Sequence, residues 1–199
     1  MRWDLIVRVS HWTIAVVVIG NALITRPGGP THVWLGWIGL VLLVIRLAWG
    51  IVGSREARFS AFPPRPSAAI RHFRELVFGQ AREYPSHNPA GSIMIYMIWA
   101  TLAVVILSGI ALTGAATPMQ VAAQKAAVAS GDWQAMAIAG SGLFSLSREA
   151  KHLVEGIHNF SANLILVMVV FHIGGVIVES ILLKRNIVRP MILGDKMKT

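Results

Sequence analysis

The stretch IHNFSANLILVMVVFHIGGVIVESILL, residues 157–183, decides the fold. It runs for 27 residues with Glu179 as its one charge, and His158 and His172 are set into its apolar run. A helix crosses the hydrocarbon core with about 20 apolar residues at a rise of 1.5 Å each, so this segment spans a bilayer with room to tilt. A soluble helix buries a single apolar stripe and has no use for an unbroken block of this length.

Working outward, three more segments have the same character. Residues 5–25 are apolar except around Arg8 and His11, residues 33–52 carry one charge at Arg46, and residues 92–116 carry none. Over the whole chain 55% of residues are hydrophobic and 14% charged, against about 25% charged in soluble domains. The expected fold is an all-α membrane protein, residues 1–199 forming one domain with a bundle of four transmembrane helices. The first block is longer than a secretory h-region, has no A-x-A site after it and holds Arg8 and His11, so it reads as a retained helix. The chain has no cysteine. That excludes disulfides, iron–sulfur clusters, thiolate zinc and the C-x-x-C-H attachment of c-type haem.

The net charge of +9 does not indicate nucleic acid, because the basic residues lie between the apolar blocks at the level of lipid headgroups. The N-terminal end, the loop 53–91 and the tail 184–199 hold 2, 6 and 5 lysines and arginines, whereas the turn 26–32 and the loop 117–156 hold 1 and 3. Thirteen against four places both termini and the loop 53–91 in the cytoplasm of a bacterial inner membrane, with 117–156 as the outer loop. Within 53–91, Phe62-Pro63-Pro64-Arg65-Pro66 leads to Ser67 as a candidate N-cap. Ile70, Phe73, Leu76 and Val77 then recur at helical spacing among Arg71, Arg74 and Glu75, which predicts a short amphipathic helix on the inner leaflet. Pro85 and Pro89 close the loop. The outer loop is Ala-rich over 121–139, with Gly140 and Gly142 as breakers, and accommodates one surface helix.

Seven histidines are present. His72, His87 and His152 fall in loops and read as solvated residues, with a quinone site as the alternative for His72 and His87. His11, His32, His158 and His172 fall in the spans or at their edges, where an ionisable side chain is costly. One such histidine alone is equally well explained by a hydrogen bond between helices. Geometry favours a site. His158 and His172 are 14 positions apart, roughly 40° short of four full turns and about 21 Å along the axis, so they share a face at two depths. With the topology above, His11 falls at the inner level with His172, and His32 at the outer level with His158. A facing imidazole pair in a helix bundle fills both axial positions of a haem iron. Structural zinc needs four ligands and catalytic zinc usually three plus water, and two histidines fall short.

Haem propionates require cations. Arg46 lies 14 residues after His32, on the same face and at the inner height, and the cost of burying it favours a functional role. Arg8, three residues before His11, and Arg26, at the outer end of the first helix, serve equally as propionate clamps or as snorkelling headgroup contacts. Gly36, Gly39, Gly174 and Gly175 allow a flat group or a neighbouring helix to approach. Trp3, Trp12, Trp34, Trp37, Trp49 and Trp99 read as an interfacial belt.

Taken together, Trp3-Asp4 with Arg8 and His11-Trp12, His32-Val33-Trp34-Leu35-Gly36 leading to Arg46-Leu47-Ala48-Trp49-Gly50, and His87-Asn88-Pro89-Ala90-Gly91 resemble the bacterial cytochrome b561 family and the related hydrogenase-type cytochrome b subunits. The stretch from His158 to His172, followed by Gly174-Gly175-Val176, Ser180 and Arg185-Asn186, resembles the same family's last helix and tail. The resemblance covers most of the chain except 117–156. It implies a four-helix bundle with two haem b groups, the four span histidines being the iron ligands. It also implies electron transfer between the quinone pool and a periplasmic partner such as a c-type cytochrome or a hydrogenase. One branch of the family oxidises superoxide and reduces quinone. That alternative ranks lower, because only Arg26, Lys125, Arg148 and Lys151 are available on the outer side to steer an anion. A haem-free anchor or transporter using the histidines as a proton relay is the third reading. No residue is singled out as catalytic in its own right.

Overall fold

The computed structural model of the chain describes residues 3–78, 84, 87–134, 142–184 and 186–194. Pro85, Gly140 and Arg185 lie outside the described residues. Every regular element described is helical: α1 (Leu5–Leu23), α2 (Pro30–Val52), a 3₁₀ turn (Phe59–Ala61), α3 (Pro66–Val77), α4 (Pro89–Leu112), α5 (Pro118–Ser130), α6 (Arg148–Leu182) and α7 (Arg189–Leu193). Helices α1, α2, α4 and α6 are long and apolar enough to cross a membrane. Few of their large apolar side chains are buried and many are exposed, as a lipid-facing surface requires.

The helix ends differ from the apolar runs for local reasons. Helix α4 starts at Pro89, three residues before the run at 92, because the Asn88 side chain accepts the Gly91 amide at 2.6 Å and Pro89 supplies a preset first turn. It ends at Leu112 instead of 116 because Gly114 and Ala115 take φ of 60° and 61°. Helix α6 begins at Arg148, nine residues before the run at 157, where the Ser147 hydroxyl accepts the Ala150 amide. Helix α3 begins at Pro66, and Ser67 is a first-turn residue instead of the N-cap, since the proline ring already fixes the entry angle. In the outer loop, α5 opens on a reciprocal capping box between Thr117 and Gln120 and closes on Gly131 in the left-handed region, φ 69°.

The chain forms two compact units. The first comprises residues 1–13, 43–100 and 165–199. Its apolar centre is Trp3, Val7 and Ala57, with Trp49 and Met191 packed against it. Asp4 organises this centre: one carboxylate oxygen caps α1 by accepting the Val7 amide at 2.8 Å, and the other accepts Trp49 Nε1 at 2.9 Å and the Ser54 hydroxyl. Burial acts to raise the Asp4 pKa, but the donors Ser54, Trp49 and Val7, and then the Arg46 charge, outweigh it and hold the carboxyl below its ordinary value. The carbonyls of α7 accept Arg8 Nη2 at 2.6 Å (Ile192) and Trp12 Nε1 at 3.1 Å (Met191), tying the C-terminal segment to α1. Phe59 lies flat against Gly50, where a Cβ would overlap its ring. Gly50→Leu is therefore expected to lower stability by about 1–3 kcal/mol, as overpacking does. Thermal unfolding in detergent measures this, and an unchanged midpoint would contradict the contact.

The second unit comprises residues 14–42 and 101–164. Val17, Val18, Val33, Leu102, Ile106, Val121 and Ala127 are its buried apolar residues. Gly39 faces α1 and α4, where a Cβ would make ordinary contact, 3.4 Å from Val17 and 3.5 Å from Ile106. Trp37 Nε1 donates to the Ala116 carbonyl at 3.3 Å, joining α2 to the turn after α4.

Candidate functional site

Each unit holds one histidine pair. In the first unit, α1 presents His11 and α6 presents His172, their ring centres 6.3 Å apart with planes at 54°. In the second, α2 presents His32 and α6 presents His158, 6.1 Å apart with planes at 69°. Two imidazoles on opposite sides of one metal ion, each at the roughly 2 Å bond usual for histidine nitrogen and with a ring centre about 1 Å behind that nitrogen, stand about 6 Å apart. Both separations therefore fit a shared iron. Among the described residues, no group of three or more histidine, cysteine, aspartate or glutamate side chains is arranged to hold a bare metal ion.

The surroundings of the second pair favour coordination through Nε2. His158 Nδ1 lies 3.0 Å from the Val105 carbonyl and 3.0 Å from Ser108 Oγ. A carbonyl only accepts, so Nδ1 carries the proton and Nε2 keeps its lone pair. This is the arrangement that orients histidine ligands. His32 is braced from α1 and the turn after it: Thr25 Oγ1 is 3.3 Å from its Nδ1, and Asn21 Nδ2 donates to its carbonyl at 3.2 Å. Space is kept open nearby, since a Cβ at Gly36 would meet nothing within 4 Å. Gly109 is tighter, its Cβ position falling 3.2 Å from His158 Cε1. Gly109→Leu is expected to turn His158 away from His32 and reduce retention of a group bound between them at least tenfold, about 1.4 kcal/mol. Bound haem per chain after gel filtration measures it; full retention would contradict the placement.

The first pair lies among charged and aromatic groups. Arg46 is 6% exposed, its guanidinium carbon sits 5.1 Å from the centre of the Trp99 ring, and its Nη1 is buried without a hydrogen bond. Such an orphaned donor requires an acceptor, and a carboxylate of a bound group would supply one. Arg8, by contrast, spends Nη2 on the Ile192 carbonyl while its Nε is buried without a partner. Arg26 is exposed after the end of α1. His11 Nδ1 has no hydrogen bond; the edge of Trp12, 5.2 Å between ring centres, lies against this imidazole.

Three histidines expected in solvent separate here. His152 is exposed on the first turns of α6. His87 instead lies between Trp3 at 4.7 Å and Phe62 at 4.5 Å. Burial, then the charge of Arg46, then His172 and His11, push its pKa down to about 3, so it is neutral at physiological pH. His72 is 1% exposed. Next to His87, Asn88 donates to Glu179, which stands two turns beyond His172 on α6. Of the brace residues, Asn21, Thr25 and Ser108 show in the sequence only as small polar positions in or beside apolar helices, and Val105, which acts through its carbonyl, shows no signal. The burial of His87 shows none either, because it depends on residues far away in the chain.

Membrane-spanning helices that bring imidazoles face to face in pairs are the architecture of membrane b-type cytochromes. The chain belongs to the prokaryotic cytochrome b561 family, whose sequence profile matches residues 2–194. No curated protein and no solved structure matches it. It is thus a multi-pass membrane cytochrome that binds haem b and transfers electrons.

Proposed function

We propose that the protein holds two haem b groups, on His11/His172 and His32/His158, and passes electrons across the bacterial inner membrane between the quinone pool and a periplasmic redox partner. The observation that carries this reading is the spacing of the two ring pairs, 6.3 Å and 6.1 Å, each matching two ligands of one iron. Bound haem b supplies a reversible one-electron carrier. The chain supplies everything around it. His158 is oriented by Val105 and Ser108 and His32 by Thr25, so each enters with a set ring plane. Arg46 offers its buried Nη1 to a propionate on the His11/His172 side. Arg8 and Arg26 are assigned weaker propionate contacts, Arg8 through its buried Nε and Arg26 at the outer end of α1. The distribution of lysine and arginine, thirteen against four, supports cytoplasmic termini and puts His32 and His158 toward the periplasm.

The test is vectorial. Purified protein reconstituted in vesicles with ferricyanide trapped inside should reduce it when a quinol is added outside. Protein-free vesicles should not. Equal rates in both would sink the conduit reading.

A further inference from the structure

Helix α3 (Pro66–Val77) is turned opposite to what packing alone selects. Its outward side shows Ile70, Phe73 and Val77, 61%, 64% and 65% exposed, and Phe78 follows them into solvent. Its inward side carries His72, 1% exposed with both ring nitrogens lacking a hydrogen bond, and the partly buried Glu75 alongside Leu76 and two alanines. A helix that answered only to the protein would bury the isoleucine, phenylalanine and valine and leave histidine and glutamate in water. Among the described residues, nothing covers the outward apolar stripe.

The connections of α3 say where that stripe lies. Helix α3 is tethered by 53–65 to the end of span α2 and by 78–88 to the start of span α4. It is thus held near the membrane surface at which those two spans end. Arg71 and Arg74 are exposed and flank the apolar stripe, while the helix's acid, Glu75, turns inward. We propose that α3 is an in-plane lipid anchor: Ile70, Phe73 and Val77 enter the acyl boundary, and Arg71 and Arg74 bind acidic phospholipid headgroups. An anchored α3 also fixes the loop that delivers Phe62 to the His87 ring, so lipid composition bears on the packing beside the His11/His172 pair.

The chain has no cysteine, so single-site labels are unambiguous. Nitroxides would be attached to Phe73→Cys, to Val170→Cys as a lipid-facing reference and to Ser130→Cys as an aqueous one, all in the full-length haem-loaded protein. Samples in phosphatidylcholine vesicles with and without phosphatidylglycerol would be compared by power saturation with oxygen and a water-soluble nickel chelate. The expected result is that the Phe73→Cys label behaves like that at Val170→Cys and moves deeper when phosphatidylglycerol is present. An Arg71→Gln/Arg74→Gln background should abolish that lipid dependence while leaving the haem spectrum unchanged. A label at Phe73→Cys as open to the nickel chelate as that at Ser130→Cys in acidic vesicles would overturn the anchor and assign the stripe to a protein partner. Equal depth in neutral and acidic vesicles would overturn the acidic-lipid recognition. Haem content is read in the same samples, so failure of the anchor is distinguishable from failure of the haem assignment.

Discussion

Replacing His158 by alanine is expected to reduce haem b from two per chain to one, with the remaining haem keeping its reduced spectrum. The loss follows from geometry. His32 alone would hold the haem by one side chain in place of two, and Ser108 and Val105 lose the imidazole they orient. His172→Ala should give the complementary result at the other pair, because His11 is left without the ring 6.3 Å away. Haem per chain, measured as the pyridine haemochrome after purification, separates the outcomes. Free imidazole in the growth medium should restore part of the lost haem in each variant, which a misfolded protein would not allow. Loss of both haems in each variant without rescue, or loss of neither, would contradict two independent pairs.

Arg46 carries the second large effect. Its Nη1 is buried and unsatisfied, while its guanidinium carbon stands 5.1 Å from the centre of the Trp99 ring. A propionate there would gain a charge-assisted hydrogen bond of about 1.5–3 kcal/mol. With half of that acting on the redox equilibrium, Arg46→Gln lowers one midpoint potential by roughly 30–60 mV, a tenfold change for one electron being about 59 mV. The other haem should keep its potential. Arg46→Lys, which retains the charge, should recover most of the shift. A redox titration that finds both potentials unchanged in Arg46→Gln would remove Arg46 from the haem's surroundings.

The spans were legible because lipid demands long apolar blocks, a constraint that leaves few readings of residues such as 157–183. The approach of His11 to His172 and of His32 to His158 was legible for a related reason. Fixed rise per residue and alternating span direction assign each histidine a depth before any packing is known. Helix ends were less so. Asn88 and Ser147 start α4 and α6 by capping, and their polar first turns are invisible to a hydropathy reading. Thr117 and Gln120 did spell a capping box, a signal present in the sequence but hidden by the alanine content around it.

His87 shows where sequence reasoning ends. A histidine between two prolines in a basic loop has the composition of a solvated residue. Its ring is nevertheless covered by Trp3 and Phe62, which only the folded loop brings to it. The same holds for α3, whose amphipathic period was plain but whose rotation was not. Only the structure shows His72 inward and Phe73 outward. Arg8 likewise makes a contact that spacing did not indicate, to the Ile192 carbonyl at the far end of the chain.

One chain is expected to hold two haem b groups between its two histidine pairs. The most direct measurement is the haem b content of the purified full-length protein, by pyridine haemochrome against chain concentration from amino-acid analysis. Two haems per chain is the predicted result. One haem per chain, or none, would contradict it.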